Sequence, residues 1–136
     1  MTRDSLDCSE VVIRAILSRK WIDEQSGLVD PAAFIPRIEK SGLPEAGISV
    51  SRLNLTTVQK ALSGFKKTFG AATLHTGTIR DALPGVDVIA EPLDAVGQFE
   101  AKPEHALIIN LPNQNLECAE AERAATILSR QARLRR

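Results

Sequence analysis

Ala106-Leu107-Ile108-Ile109-Asn110-Leu111, closed by Pro112, is the stretch on which the fold turns. Its first four residues are apolar without alternation. That pattern predicts a strand over 106–111 placed centrally in a sheet and covered on both faces. Pro112 has no amide hydrogen for a ladder and ends the strand. His105 opens it, at a sheet end where loops and sites gather.

Working outward, two further strands are expected, over 72–78 and 86–91. Pro84-Gly85 supplies the turn before the second, and Asp87 between Val86 and Val88 suggests one wet face. Upstream, Ile48-Ser49-Val50-Ser51-Arg52 alternates apolar and polar, as a half-buried strand does. Three helices are expected around them. Residues 8–20 carry Val12, Ile13, Ile16 and Leu17 at helical spacing after an Asp7 cap, although Val11-Val12-Ile13 also suits a strand. Residues 57–69 follow Thr56 and Gln59 as a capping box, with Val58, Ala61, Leu62, Phe65 and Phe69 on one face. Residues 116–134 follow an Asn115 cap. There, acidic residues come first and arginines last, and Cys118, Ala121, Ala125, Leu128 and Ala132 form a stripe of small and apolar groups. Between 23 and 47, Pro and Gly break any long element, and Asp30-Pro31 opens a short helical turn. The sum is one α+β domain over 1–136: a mixed sheet of about four strands with two or three helices packed on it.

Composition narrows the classes of function. The chain has 136 residues, 43% hydrophobic and 25% charged, which suits one globular domain with its own core. Seventeen basic and seventeen acidic residues leave no net charge to draw the whole surface to nucleic acid or an anionic membrane. No run of apolar residues is long enough to span a bilayer, and the first residues hold no secretory h-region. Cys8 and Cys118 form no CxxC and no disulfide framework. A soluble, cytoplasmic protein is therefore expected. The cofactor expectation is none: neither G-x-G-x-x-G nor G-x-x-x-x-G-K-[ST] is present, and two distant histidines are no metal signature.

Three residues stand out as candidate binding groups. His75 lies in Thr73-Leu-His75-Thr76-Gly77-Thr78, where it could bind a ligand or move a proton, or simply face solvent beside a bulge. His105 could pair with a carboxylate such as Glu104 or Glu91, or with His75, or simply close a strand. Arg37, after Phe34-Ile35-Pro36, could clamp an anion or make an ordinary surface ion pair. Cys118 and Trp21 read as packing residues.

Several fragments together carry a resemblance: Trp21 with Gly27-Leu-Val, Ala33-Phe34-Ile35-Pro36-Arg37, Gly47-Ile48-Ser49-Val50 and His105-Ala106-Leu-Ile108. The chain resembles a group of small prokaryotic proteins without assigned activity. In that group Ala-Phe-x-Pro and Gly-Leu-Ser-Val segments precede a late His-Ala-x-Ile strand. Ile35 replaces a polar or basic residue of the pattern, and Ile48 replaces a Leu. The resemblance implies a compact bacterial-type domain and directs attention to Arg37 and His105. The resemblance adds no mechanism, and two roles are expected from the residues themselves: the neutral charge, the lack of a catalytic constellation and the Ala-rich terminal helix for the first, the three candidate residues for the second. The first is a non-enzymatic accessory protein that acts through a partner chain or self-association. The second is a small-molecule binder or enzyme using His75, His105 and Arg37 at a sheet edge.

Overall fold

The computed structural model describes residues 4–36, 47–98, 100–112 and 118–135. Along the chain run β1 (Val11–Ala15), β2 (Ile22–Asp23), β3 (Leu28–Val29), β4 (Gly47–Arg52), α1 (Val58–Ser63), β5 (Ala71–His75), α2 (Thr76–Ala82), β6 (Asp87–Ala90), β7 (His105–Ile109), α3 (Cys118–Gln131) and β8 (Arg133–Arg135), with 3-10 turns at Arg19–Trp21, Pro31–Phe34 and Leu53–Leu55. Six strands form one sheet in the order β6-β7-β4-β1-β5-β8, and β2 and β3 form a separate hairpin. Every neighbouring pair is antiparallel, so the expected four-stranded mixed sheet is corrected to a six-stranded antiparallel one.

The α+β class holds, and so do the strands expected around 48–52, 86–91 and 106–111. β7 lies inside the sheet, between β6 and β4. Its Ala106 and Ile108 join the main core, while Leu107 and Ile109 bury with Ile89 on the opposite face. Both faces are therefore covered, which explains the missing alternation.

Four expectations are corrected. The helix expected over 8–20 is instead β1. This strand is flanked on both sides by β4 and β5 and buries Val12 and Ile13 on opposite faces. An interior strand needs apolar residues on both faces, and such a run imitates helical spacing. The helix expected over 57–69 stops at Ser63, with Gly64 capping it; Thr57, not Thr56, caps the start by accepting from the Lys60 amide. Phe65 and Phe69 lie beyond it, and the Phe69 amide donates to the Ile16 carbonyl. The strand expected over 72–78 turns into α2 at Thr76. There the Thr76 and Gly77 amides, which no helical turn could satisfy, donate to the Glu10 and Cys8 carbonyls. Gly77 makes the approach easy, because a Cβ would stand 3.0 Å from the Cys8 carbonyl oxygen, a tight contact. The helix expected over 116–134 ends at Gln131. The alternating Arg133-Leu134-Arg135 then pairs with Thr73, Ala72 and Ala71 as an edge strand. Asn115 lies outside the described residues.

One sheet face holds Val12, Ile48, Val50, Leu74, Val88 and Ile108. It packs against Ile79 of α2, Ala125 and Leu128 of α3, and Phe34 of the 3-10 turn. Ala121, Ala125, Leu128 and Ala132 are buried as the small-residue stripe requires. Trp21 packs on the rim of this core beneath the Arg14 guanidinium. No helix among the described residues is long and apolar enough to cross a membrane.

Candidate functional site

The second sheet face carries a cleft, and β1 opens it. β1 and β4 pair only at Val12↔Arg52 and Ile13↔Ser51, although both strands continue beyond that point. Past Ile13 they part, and the carbonyl of Ser49 is left without a strand partner on the β1 side. Arg14 meets the need: its Nη1 donates to the Ser49 carbonyl at 3.0 Å and its Nε to the Ala33 carbonyl at 3.2 Å. A charged donor at an unpaired strand carbonyl fills the gap without closing the sheet.

Above that gap lies a cavity of about 520 Å³. Ile13, Ser49 and Ser51 form its floor, α1 and the residues after it contribute Lys60 and Phe65, and Lys102 and His105 form the opposite wall. Ser49 is exposed although its strand lies deep in the sheet, so the floor is open to solvent here. The size is that of a small-molecule site.

His105 is held from behind. Its Nδ1 lies 3.0 Å from the Glu91 carbonyl oxygen and 3.5 Å from a Glu91 carboxylate oxygen. A carbonyl only accepts, so Nδ1 carries the proton of this bond, and in the neutral ring Nε2 keeps a lone pair. Glu91 is not part of the cleft wall, and among the described residues Nε2 has no partner. Nε2 is thus the ring's polar atom left to the cleft. The backbone fixes both sides of this arrangement: the Glu91 amide donates to the His105 carbonyl, and the Arg52 amide donates to the Glu104 carbonyl.

Of the two histidines singled out by sequence, His105 lines this cleft and His75 does not. His75 ends β5, is exposed and makes no side-chain cap on α2. It pairs across from Val11, whereas His105 pairs across from Ser51, itself opposite Ile13. The alternation puts both on the same face, but three strand spacings, roughly 14 Å, lie between them. Arg37 lies outside the described residues. Ser49, Ser51, Lys60 and Lys102 were not expected. The two serines had a signal, since in Ile48-Ser-Val-Ser they alternate with core residues, which marks one open face of the strand.

A second polar cluster joins the first residues to β6. Arg80 Nε donates to Asp87 Oδ1 at 2.8 Å, Nη2 stands 2.7 Å from the same oxygen, and Nη1 reaches the free thiol of Cys8 at 3.3 Å. Ser5 donates to the other Asp87 oxygen. Partial burial raises the Asp87 pKa, but the bonds from Ser5, Arg80 and the Val88 amide outweigh it, and the carboxyl rests below its ordinary range. Residues 4–6 also bond along β6, through Leu6 to Val88 and Ala90 to Asp4, so this cluster closes a sheet edge.

Among the described residues no three His, Cys, Asp or Glu side chains gather as metal ligands. No family model, curated protein or solved structure matches the chain.

Proposed function

We propose that this protein binds a small polar molecule in the cleft between α1 and the β1-β4-β7 face of the sheet. The observation that carries the reading is the fixed His105 ring, with Nδ1 held by the Glu91 carbonyl and Nε2 left to a cavity of small-molecule size. Ser49 and Ser51 add hydroxyls that both donate and accept. A ligand hydroxyl or amine would donate to Nε2, and the serines would fix its orientation. His75 is not needed for this role. The compartment belongs to the same proposal: an exposed, unpaired Cys8 thiol suits the reducing cytoplasm.

The test is an amide-resolved NMR screen of the full chain against a library of small polar fragments. Binders should shift the amides of Ser49, Ser51, Ala61 and His105 together. Shifts gathered elsewhere, or none that saturate, would contradict the reading.

A second reading, an accessory protein that acts through a partner or self-association, draws on exposed apolar side chains. Leu55 and Phe65 line the cleft mouth and are 50% and 41% exposed, and Leu93 beside Lys102 is 40% exposed. Such side chains scattered singly are ordinary on a monomer, so this reading ranks second. Light scattering across a concentration series tests it, since a monomer at every concentration removes self-association.

A further inference from the structure

We infer that the free edge of the sheet at β8 takes up an extended acidic segment of a partner protein as an added strand. The inference is independent of the cleft and stands even if the cleft binds nothing.

The two edges of the six-stranded sheet are built differently. At β6 the chain seals its own edge: the Leu6 amide donates to the Val88 carbonyl, and the Ala90 amide donates to the Asp4 carbonyl. At β8 the backbone of Arg133–Arg135 pairs inward with β5, and among the described residues no other backbone bond reaches it. A terminal antiparallel strand points the amide and carbonyl of alternate residues outward, where another strand can bond to them. The β2-β3 hairpin packs beside β8 but does not pair with it. Addition of an extended peptide to such an edge is a recurring mode of recognition, in which the backbone supplies affinity and alternate side chains supply selectivity.

The side chains select the occupant. Leu134 packs against the main core, so Arg133 and Arg135 share the opposite face, and both are exposed. Neither pairs with a carboxylate among the described residues. A second copy of this chain laid along β8 in matching register would set arginine against arginine, which is destabilising. A strand with carboxylates two positions apart sets one against each arginine instead. The residue between them falls on the Leu134 face, the side of the hairpin, where Leu28 is 49% exposed. The segment is therefore acidic, apolar, acidic in sequence. A nucleic-acid backbone would meet the arginines too, but it has no strand-spaced amides to continue the ladder.

The experiment is an amide-resolved NMR titration of the full chain with three end-blocked peptides and a short oligouridylate. The peptides are Thr-Val-Glu-Leu-Glu-Val-Thr, its glutamine counterpart Thr-Val-Gln-Leu-Gln-Val-Thr, and Thr-Val-Glu-Glu-Leu-Val-Thr, which keeps the charge and breaks the alternation. The alternating acidic peptide is expected to shift the amides of Arg133, Leu134 and Arg135 saturably, to slow hydrogen exchange at the outward amides of β8, and to bind tighter than the other three probes. Arg133→Gln and Arg135→Gln should each weaken it by about twofold to fivefold, as loss of an exposed ion pair does. Equal binding of the two acidic peptides would reduce the effect to plain charge attraction and overturn strand addition. Equal binding of the glutamine peptide would overturn the acidic selection. Tighter binding of oligouridylate at these amides would assign the edge to nucleic acid, and shifts of the same amides on raising the protein concentration alone would assign it to a second copy; either overturns the inference. So would saturable shifts gathered away from β8, or none.

Discussion

His105 and Glu91 hold each other through two bonds: the imidazole Nδ1 lies 3.0 Å from the Glu91 carbonyl, and the Glu91 amide donates to the His105 carbonyl at 2.9 Å. The ring cannot turn without losing its contact, and its tautomer is chosen by a group that can only accept. The neutral ring should therefore carry its proton on Nδ1. Long-range proton–nitrogen correlation of the imidazole reads this directly. A dominant Nε2–H tautomer would contradict the arrangement and remove the acceptor from the cleft.

The Asp87 cluster should be visible in the acid limb of stability. Its folded pKa lies below the free value of 3.8, so the unfolded chain takes up the proton first on acidification. Its contribution is complete above that value and is lost as pH falls through the lowered folded one. Asp87→Asn should destabilise the protein at pH 7 by about 1–2 kcal/mol, as loss of charged hydrogen bonds does. Urea unfolding at pH 7 and at about pH 2 checks this; the gap between variant and parent should shrink at the lower pH. A gap that stays constant would mean Asp87 is not ionised in the fold.

Gly47 is the tightest point between β4 and β7. A Cβ there would come within 2.5 Å of the Ile108 carbonyl oxygen, which is backbone and has nowhere to move without breaking the ladder. Gly47→Ala should lower stability by about 1–3 kcal/mol, the usual range for overpacking. Equilibrium unfolding measures it, and an unchanged midpoint would show that β4 and β7 are not in this register.

Much of the fold was legible in the chain. The stretch from Ala106 to Pro112 reads as an interior strand because a run covered on both faces cannot alternate, and Ile48-Ser49-Val50 reads as a strand because β4 has one open face. What misled was similar in kind. In β1, Val12, Ile13 and Ile16 satisfy helical spacing by coincidence, since a strand between two neighbours is apolar on both sides. α2 starts at Thr76 through bonds to Glu10 and Cys8, partners that lie more than sixty positions away, so no local pattern announces it. β8 is three residues long, too short for periodicity to separate it from the helix it follows. Of the site, His105 was legible as a polar residue at the start of an interior strand. Lys60 and Lys102 were not, because surface lysines carry no local mark of the cavity that the fold makes between them.

The claim that the open floor of the sheet receives a ligand is tested most directly by filling it. Ser51 faces the cleft and is only half-buried, so Ser51→Phe should keep stability within about 1 kcal/mol of the parent. Titrated beside the parent chain with a fragment that shifts Ser49, Ser51, Ala61 and His105 in the parent, this variant should lose at least about tenfold in affinity, since the added ring occupies the space above Ser49 and Ile13. A stably folded Ser51→Phe protein that binds the same fragment as well as the parent would contradict the account.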